Sequence, residues 1–189
     1  MNWELDKFEW LDHDSSWDAC ITYIEPAKVE DIVSLLQCTN GPLMLNYDSV
    51  GKLQDFNDSL YHVQIQPFGQ AVILVEPIGF VGQSDPVPTL LSQNSKRLVS
   101  IYWNVEALMR FVLAENGVVI RAFDALCYGL DSEVGSPIAL EGELPFGQVK
   151  NSHRALLALF EQLTGFTPTP KWLYHEKRPT YRIGVSIDS

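Results

Sequence analysis

The sequence predicts an α+β fold, a mostly antiparallel sheet with two or three amphipathic helices packed against it. Three observations carry this. Several short runs rich in β-branched and aromatic residues are bounded by Gly, Pro, Asn and Asp. Two or three segments repeat apolar residues at i, i+3, i+4 and i+7. A chain of 189 residues, 46% hydrophobic and 20% charged, can bury a real core and lies outside the composition of disordered, collagenous or coiled-coil proteins.

Taken in order, residues 1–18 form an acidic, aromatic arm. Glu4, Asp6, Glu9, Asp12, Asp14 and Asp18 stand against the single base Lys7, with Trp3, Phe8, Trp10 and Trp17 between them. Residues 18–189 are expected to make one α+β domain, on which those aromatics either pack as a helix or strap or remain out to anchor a partner. Asp18–Glu25 reads as a strand that Pro26 ends. Over Ala27–Cys38, Val29, Ile32, Val33 and Leu36 hold helical spacing, and Pro26, Glu30 and Asp31 suit the positive end of a helix dipole. Asn40-Gly41-Pro42 stops that helix, and a polar loop follows past Asp48, Asp55 and Asp58. Leu60–Gln66 and Ala71–Glu76 read as a hairpin about Pro67–Gln70.

Gly79, Gly82, Pro86 and Pro88 mark a connection, followed by a helical turn over Thr89–Gln93. Leu98–Trp103 is strand-like. Asn104 suits an N-cap, and Val105, Leu108, Met109 and Val112 keep helical spacing up to a stop at Asn116-Gly117. Val118–Asp124 resumes as a strand; the whole unit is short for a parallel crossover, which leaves the pairing sense open. Glycines and prolines punctuate 129–150, a long loop. Ser152–Thr164 is a clear helix, with Leu156, Leu159, Phe160 and Leu163 on one face and Gly165 as its stop. The tail ends in a strand-like run, Thr180–Ile187.

The formal charge of −11 is uneven: −9 over residues 1–60, −5 over 61–149 and +3 over 150–189. Such a field repels phosphate backbones, so no nucleic-acid partner is expected, and it favours a basic protein instead. The basic tail (Lys171, Lys177, Arg178, Arg182) is placed to pair with the acidic half of its own fold. No run of apolar residues is long enough to span a bilayer, and the acidic start lacks the pattern of a signal peptide, so a cytoplasmic protein away from membranes is expected.

Motifs for chemistry are scarce. Cys20, Cys38 and Cys127 fit neither a disulfide framework nor a paired-cysteine zinc site, and each sits among apolar neighbours as a small buried hydrophobe would. A thiol hydrolase would pair Cys20 or Cys127 with His62, His153 or His175, but no local signature supports a pair. The four histidines read as surface residues. Glu141 with Glu143, and Asp131 with Glu133, have the spacing of paired acids, but their glycine-rich setting reads as a solvated loop. No phosphate cradle or metal motif is present, so neither cofactor nor metal is expected.

The block Arg97–Phe111, followed by Glu115–Asp124, resembles a bacterial domain family of unknown function, number 6461. The Ala19-Cys20 strand leading into the Val29–Leu36 helix is similar to that family's opening, and the Arg154–Gly165 helix with Thr167-Pro168-Thr169 is similar to its close. The resemblance covers most of residues 17–170 and implies an intracellular bacterial protein. It brings no activity and no site residues.

The functional expectation therefore rests on charge and aromatics. An acidic protein can capture a basic partner by electrostatic steering and hold it through a few aromatic anchors. This is the physics of an immunity protein that neutralises a toxin. Asp6, Glu9, Asp12, Asp14, Asp48, Asp55 and Asp58 would steer, and Trp3, Trp10 and Trp17 would anchor. The alternatives are a hydrolase-like enzyme using Cys/His or carboxylates, a structural scaffold of a bacterial operon, and a DNA mimic.

Overall fold

The computed structural model describes residues 3–13, 18–53, 61–130, 132–148 and 151–185. Eight strands, β1 (Ala19–Glu25), β2 (Thr39–Leu45), β3 (His62–Phe68), β4 (Ala71–Pro77), β5 (Arg97–Trp103), β6 (Met109–Glu115), β7 (Val118–Asp124) and β8 (Arg178–Arg182), make one sheet. Its order is β2-β8-β3-β4-β1-β5-β6-β7 and every pairing is antiparallel. The helices are α1 (Val29–Leu35), α2 (Tyr47–Gly51), α3 (Val87–Leu91) and α4 (Ser152–Thr164), and the fold is α+β as the sequence predicts.

Both faces of the sheet are covered. On the first, Ile21, Tyr23, Ile73 and Phe111 pack under α2, α4 and the amino-terminal segment. On the second, Ile24, Val72, Leu74 and Leu98 pack under α1 and α3. Strand β1 lies between β4 and β5, and its run Ala-Cys-Ile-Thr-Tyr-Ile is buried on both sides. Burying a Val- or Leu-sized side chain is worth about 1.5–3 kcal/mol, so these two layers dominate the stability. The α4 helix spans the residues its apolar period marks, and Gly165 ends it with φ 69°, the left-handed stop that glycine adopts without a Cβ penalty.

Several elements differ from expectation. The helix expected over 105–115 is a hairpin: β5 turns through 104–108 into β6, and Trp103 lies opposite Met109. Val105, Leu108, Met109 and Val112 satisfy a helical count, but the Asn-Gly that follows decides the outcome. Asn116 and Gly117 have φ 50° and 81°, and Glu115 faces Val118 across them, so this is a two-residue hairpin turn and not a helix stop. Asn104 does cap, but it caps a loop, with Oδ1 accepting the N–H groups of Glu106 and Leu108.

Asn40-Gly41-Pro42 opens no loop; it lies inside β2. Proline and an irregular register between Thr39 and Leu43 are tolerated there because β2 is an edge strand. The expected polar loop at Asp48 begins as α2, where Asn46 Oδ1 accepts the Ser49 N–H. The carboxy-terminal strand is β8, which starts two residues earlier than expected and inserts between β2 and β3.

Candidate functional site

The amino-terminal arm folds as a 3-10 turn, Leu5–His13, laid on α4. Phe8 and Leu11 are buried, while Trp3 and Trp10 are partly buried against the first-face core. Trp10 meets Tyr174 edge-on at 6.0 Å. The arm's carboxylates converge on one guanidinium. Arg154, from α4, donates to Asp6 Oδ1 at 3.2 Å and to Asp12, and lies 3.8 Å from Glu9 Oε1. Lys7 pairs with Glu161 of the same helix. Asp6 and Glu9 nevertheless keep 98% and 61% of their side-chain exposure, so one cation is shared by acids that still face water. Of the other expected partner-binding residues, Asp48 is exposed in the first turn of α2. Asp14, Trp17, Asp55 and Asp58 lie outside the described residues.

A second surface was not legible as such. Where β1 begins and β4 and β5 end, exposed apolar side chains gather: Phe80, Val105 and Leu108. The Phe80 ring lies 6.3 Å from that of Tyr61 and 6.0 Å from that of Tyr102. Val105 donates its N–H to Asp18 Oδ1 at 2.9 Å, and Tyr47 on α2 donates its hydroxyl to the Asp18 carbonyl. Burial, then the charge of Asp18, pushes the Tyr102 hydroxyl up to about 12.

Beneath this end lies a sealed polar cluster. Glu76 on β4, fully buried, accepts the N–H groups of Val81 at 2.7 Å and Gly82 at 2.8 Å. Around it, Ser100 Oγ is shared by Thr22 at 2.8 Å, by the Gln83 amide at 2.9 Å and by Cys20 Sγ at 3.4 Å. Glycine is required at 82, because a Cβ there would overlap Thr22 Oγ1. Burial pushes the Glu76 carboxyl up to about 7 and the Cys20 thiol well above its usual range. Cys20 thus has an acid and two hydroxyls for company, not a histidine, and is held as an inert thiol.

Three expectations need correction. Glu141 is not in a solvated loop: it is buried and takes Arg121 Nε through both oxygens at 2.9 and 3.0 Å, with Tyr128 donating at 3.0 Å. Glu133 joins the same guanidinium at 2.7 Å, Glu143 is exposed, and Asp131 lies outside the described residues. Of the basic tail, Arg178 turns to neutral partners and not to the acidic half of the fold. Arg178 is buried against neutral groups, Gln66 and Gln64 at 3.0 Å each and the Trp172 ring at 4.3 Å, and burial lowers it to about 10. His62 and His153 are part-buried, and burial lowers both.

Cys127 is also exposed, contrary to its apolar neighbours, whereas Cys38 is half-buried and pushed up to about 11. Iodoacetamide is therefore expected to add one group to the native protein, at Cys127, and three after unfolding, as read by peptide mass.

Among the described residues no group of three or more His, Cys, Asp or Glu could hold a metal ion, and no helix is long and apolar enough to cross a membrane. A cavity of about 460 Å³ between the 26–31 and 69–70 segments is lined by Lys28 and Asp31 as its charged groups, with Pro26, Ala27, Gly69 and Gln70. No serine, cysteine or histidine among the described residues lines it. No protein-family model, curated protein or solved structure matches the chain.

Proposed function

We propose that this is a non-enzymatic protein-binding protein that captures a basic partner through its acidic surface, as an immunity protein neutralises a toxin. The observation that carries the reading is the exposed carboxylate excess: Asp6 and Glu9 face solvent while sharing one arginine, on a chain of net charge −11. A field of this sign speeds encounter with a cationic protein and repels polyanions. In this reading the protein acts in the bacterial cytoplasm and is related to the family its central block resembles. The hydrolase alternative draws less support, because Cys20, which has Glu76 beside it, is sealed and its thiol is held protonated.

The test is co-expression with the protein encoded beside it, followed by affinity capture and association kinetics at rising salt. The expected result is a complex whose association slows with ionic strength, and slows about tenfold or more when Asp6 and Glu9 are both changed to lysine. No complex, or one indifferent to salt and to these charges, would refute the reading.

A further inference from the structure

Large apolar side chains left in water need a reason when they are held in place. Phe80 is 45% exposed, Val105 59% and Leu108 40%, and all three sit at the one end of the sheet. They are fixed there. Asn104 Oδ1 ties down the N–H groups of Glu106 and Leu108 at 3.1 and 2.9 Å, and Asp18 ties down that of Val105. The Phe80 turn is held from within by Glu76, a carboxylate removed from water whose partners are backbone N–H groups and Cys20, none of them a cation. That is a costly way to secure a surface turn, and what it secures is the position of one exposed ring.

The arm offers less. Phe8 and Leu11 are sealed, and Trp3 and Trp10 are already packed on the first-face core, so an anchor there would have to leave its own fold. Charge at the loop end favours a cation as well. Asp18 and Glu106 both bear on Tyr102, while Arg110, opposite Tyr102 on β6, lies across from Asp124.

The geometry points to this face, centred on Phe80, Val105 and Leu108 and rimmed by Asp18 and Glu106, as the docking site for a cationic protein segment. Such a segment would set an apolar side chain against Phe80 and lysine or arginine ammonium and guanidinium groups against the two acids. The inference rests on the acidic-capture reading and moves its anchor from the arm tryptophans to the loop end.

The experiment is residue-resolved NMR of the full chain titrated with a synthetic peptide of alternating lysine and leucine, and with its glutamate–leucine counterpart. Shifts from the lysine peptide are expected at residues 80–82 and 102–108. Its dissociation should quicken about tenfold in Phe80→Ala and in the loop variant Val105→Ser, whereas changing Asp6 and Glu9 to lysine should slow association and leave the dissociation rate within about threefold. Shifts confined to residues 5–13, or spread evenly over every acidic patch, would overturn the docking face while leaving acidic capture standing. Equal binding of both peptides, or no salt-sensitive binding of the lysine peptide at any residue, would overturn both.

Discussion

Replacing Arg121 by methionine is expected to lower the free energy of unfolding by about 3–5 kcal/mol, read from urea melts. The side chain is fully buried on β7, where its Nε and Nη2 engage Glu141, its Nη2 also engages Glu133 at 2.7 Å, and its Nη1 donates to the Val134 and Gly135 carbonyls at 3.2 Å. Burial works against the guanidinium, but Glu141 and Glu133 hold it protonated above its usual range. It also lies 4.8 Å from the Phe123 ring centre, with Tyr128 beyond at 5.8 Å.

Removing the cation leaves Glu141, itself 1% exposed, without its counter-charge in a low-dielectric site, and this dominates the loss. Removing both charges should cost less than the single change predicts. Arg121→Met with Glu141→Met is expected to recover part of the stability, because the fully buried acid goes with the cation and the Glu133 left behind keeps 14% of its side-chain exposure. If the single variant melted within about 1 kcal/mol of the parent, the cluster would be acting as a surface pair. The loop from 126 to 148 should loosen with it, since Arg121 is what fastens the Val134–Gly135 and Glu141 segments to the sheet edge.

The way this cluster escaped the sequence reading shows what composition can and cannot tell. Periodicity placed β1, the β3–β4 hairpin, β5, β7 and α4 within a few residues, because each carries its signal locally: alternation, a turn, or a glycine stop. It failed where two periods fitted the same residues. Met109, Val112 and the positions before them satisfy a helix, and only the requirement that Asn116 and Gly117 both take positive φ settles the strand. It also failed wherever meaning depends on a partner distant in sequence.

Glu141 among glycines looks solvated until one asks what Arg121 does, two residues before buried Phe123 and therefore on the same face of a strand. A charge in phase with the core demands an acid, and that was the signal to follow. Glu76 too is in phase with the core, through Leu74 and Val72 on the second face, but it is answered by the N–H groups of Val81 and Gly82 and not by a cation. The surface is less legible still. Phe80 is far in the chain from Val105 and Leu108, which share one loop, and it reaches the same end only because β1, β4, β5 and β6 finish there.

Glu76 gives the second large effect, and its sign is opposite to that of an ordinary salt-bridged acid. Burial raises its carboxyl from an ordinary 4.5 to about 7, more than the Val81 and Gly82 N–H groups lower it. Between those two values the folded protein binds more protons than the unfolded chain, so stability must fall as pH rises. The contribution is full below about 4.5 and is lost by the time the folded carboxyl has ionised, a span worth about 3 kcal/mol.

Because other acids also titrate there, the comparison is with Glu76→Gln, which removes this proton and leaves the rest. Relative to that variant, the parent should lose about 3 kcal/mol between pH ~4.5 and pH ~8 in urea melts. The Val81 and Gly82 amide resonances should titrate with a midpoint near 7, because both donate to this carboxylate. A flat difference between the two proteins across that range, with amides that titrate near the ordinary carboxylate value, would mean that water reaches Glu76. The Phe80 turn would then be held by an ordinary surface acid.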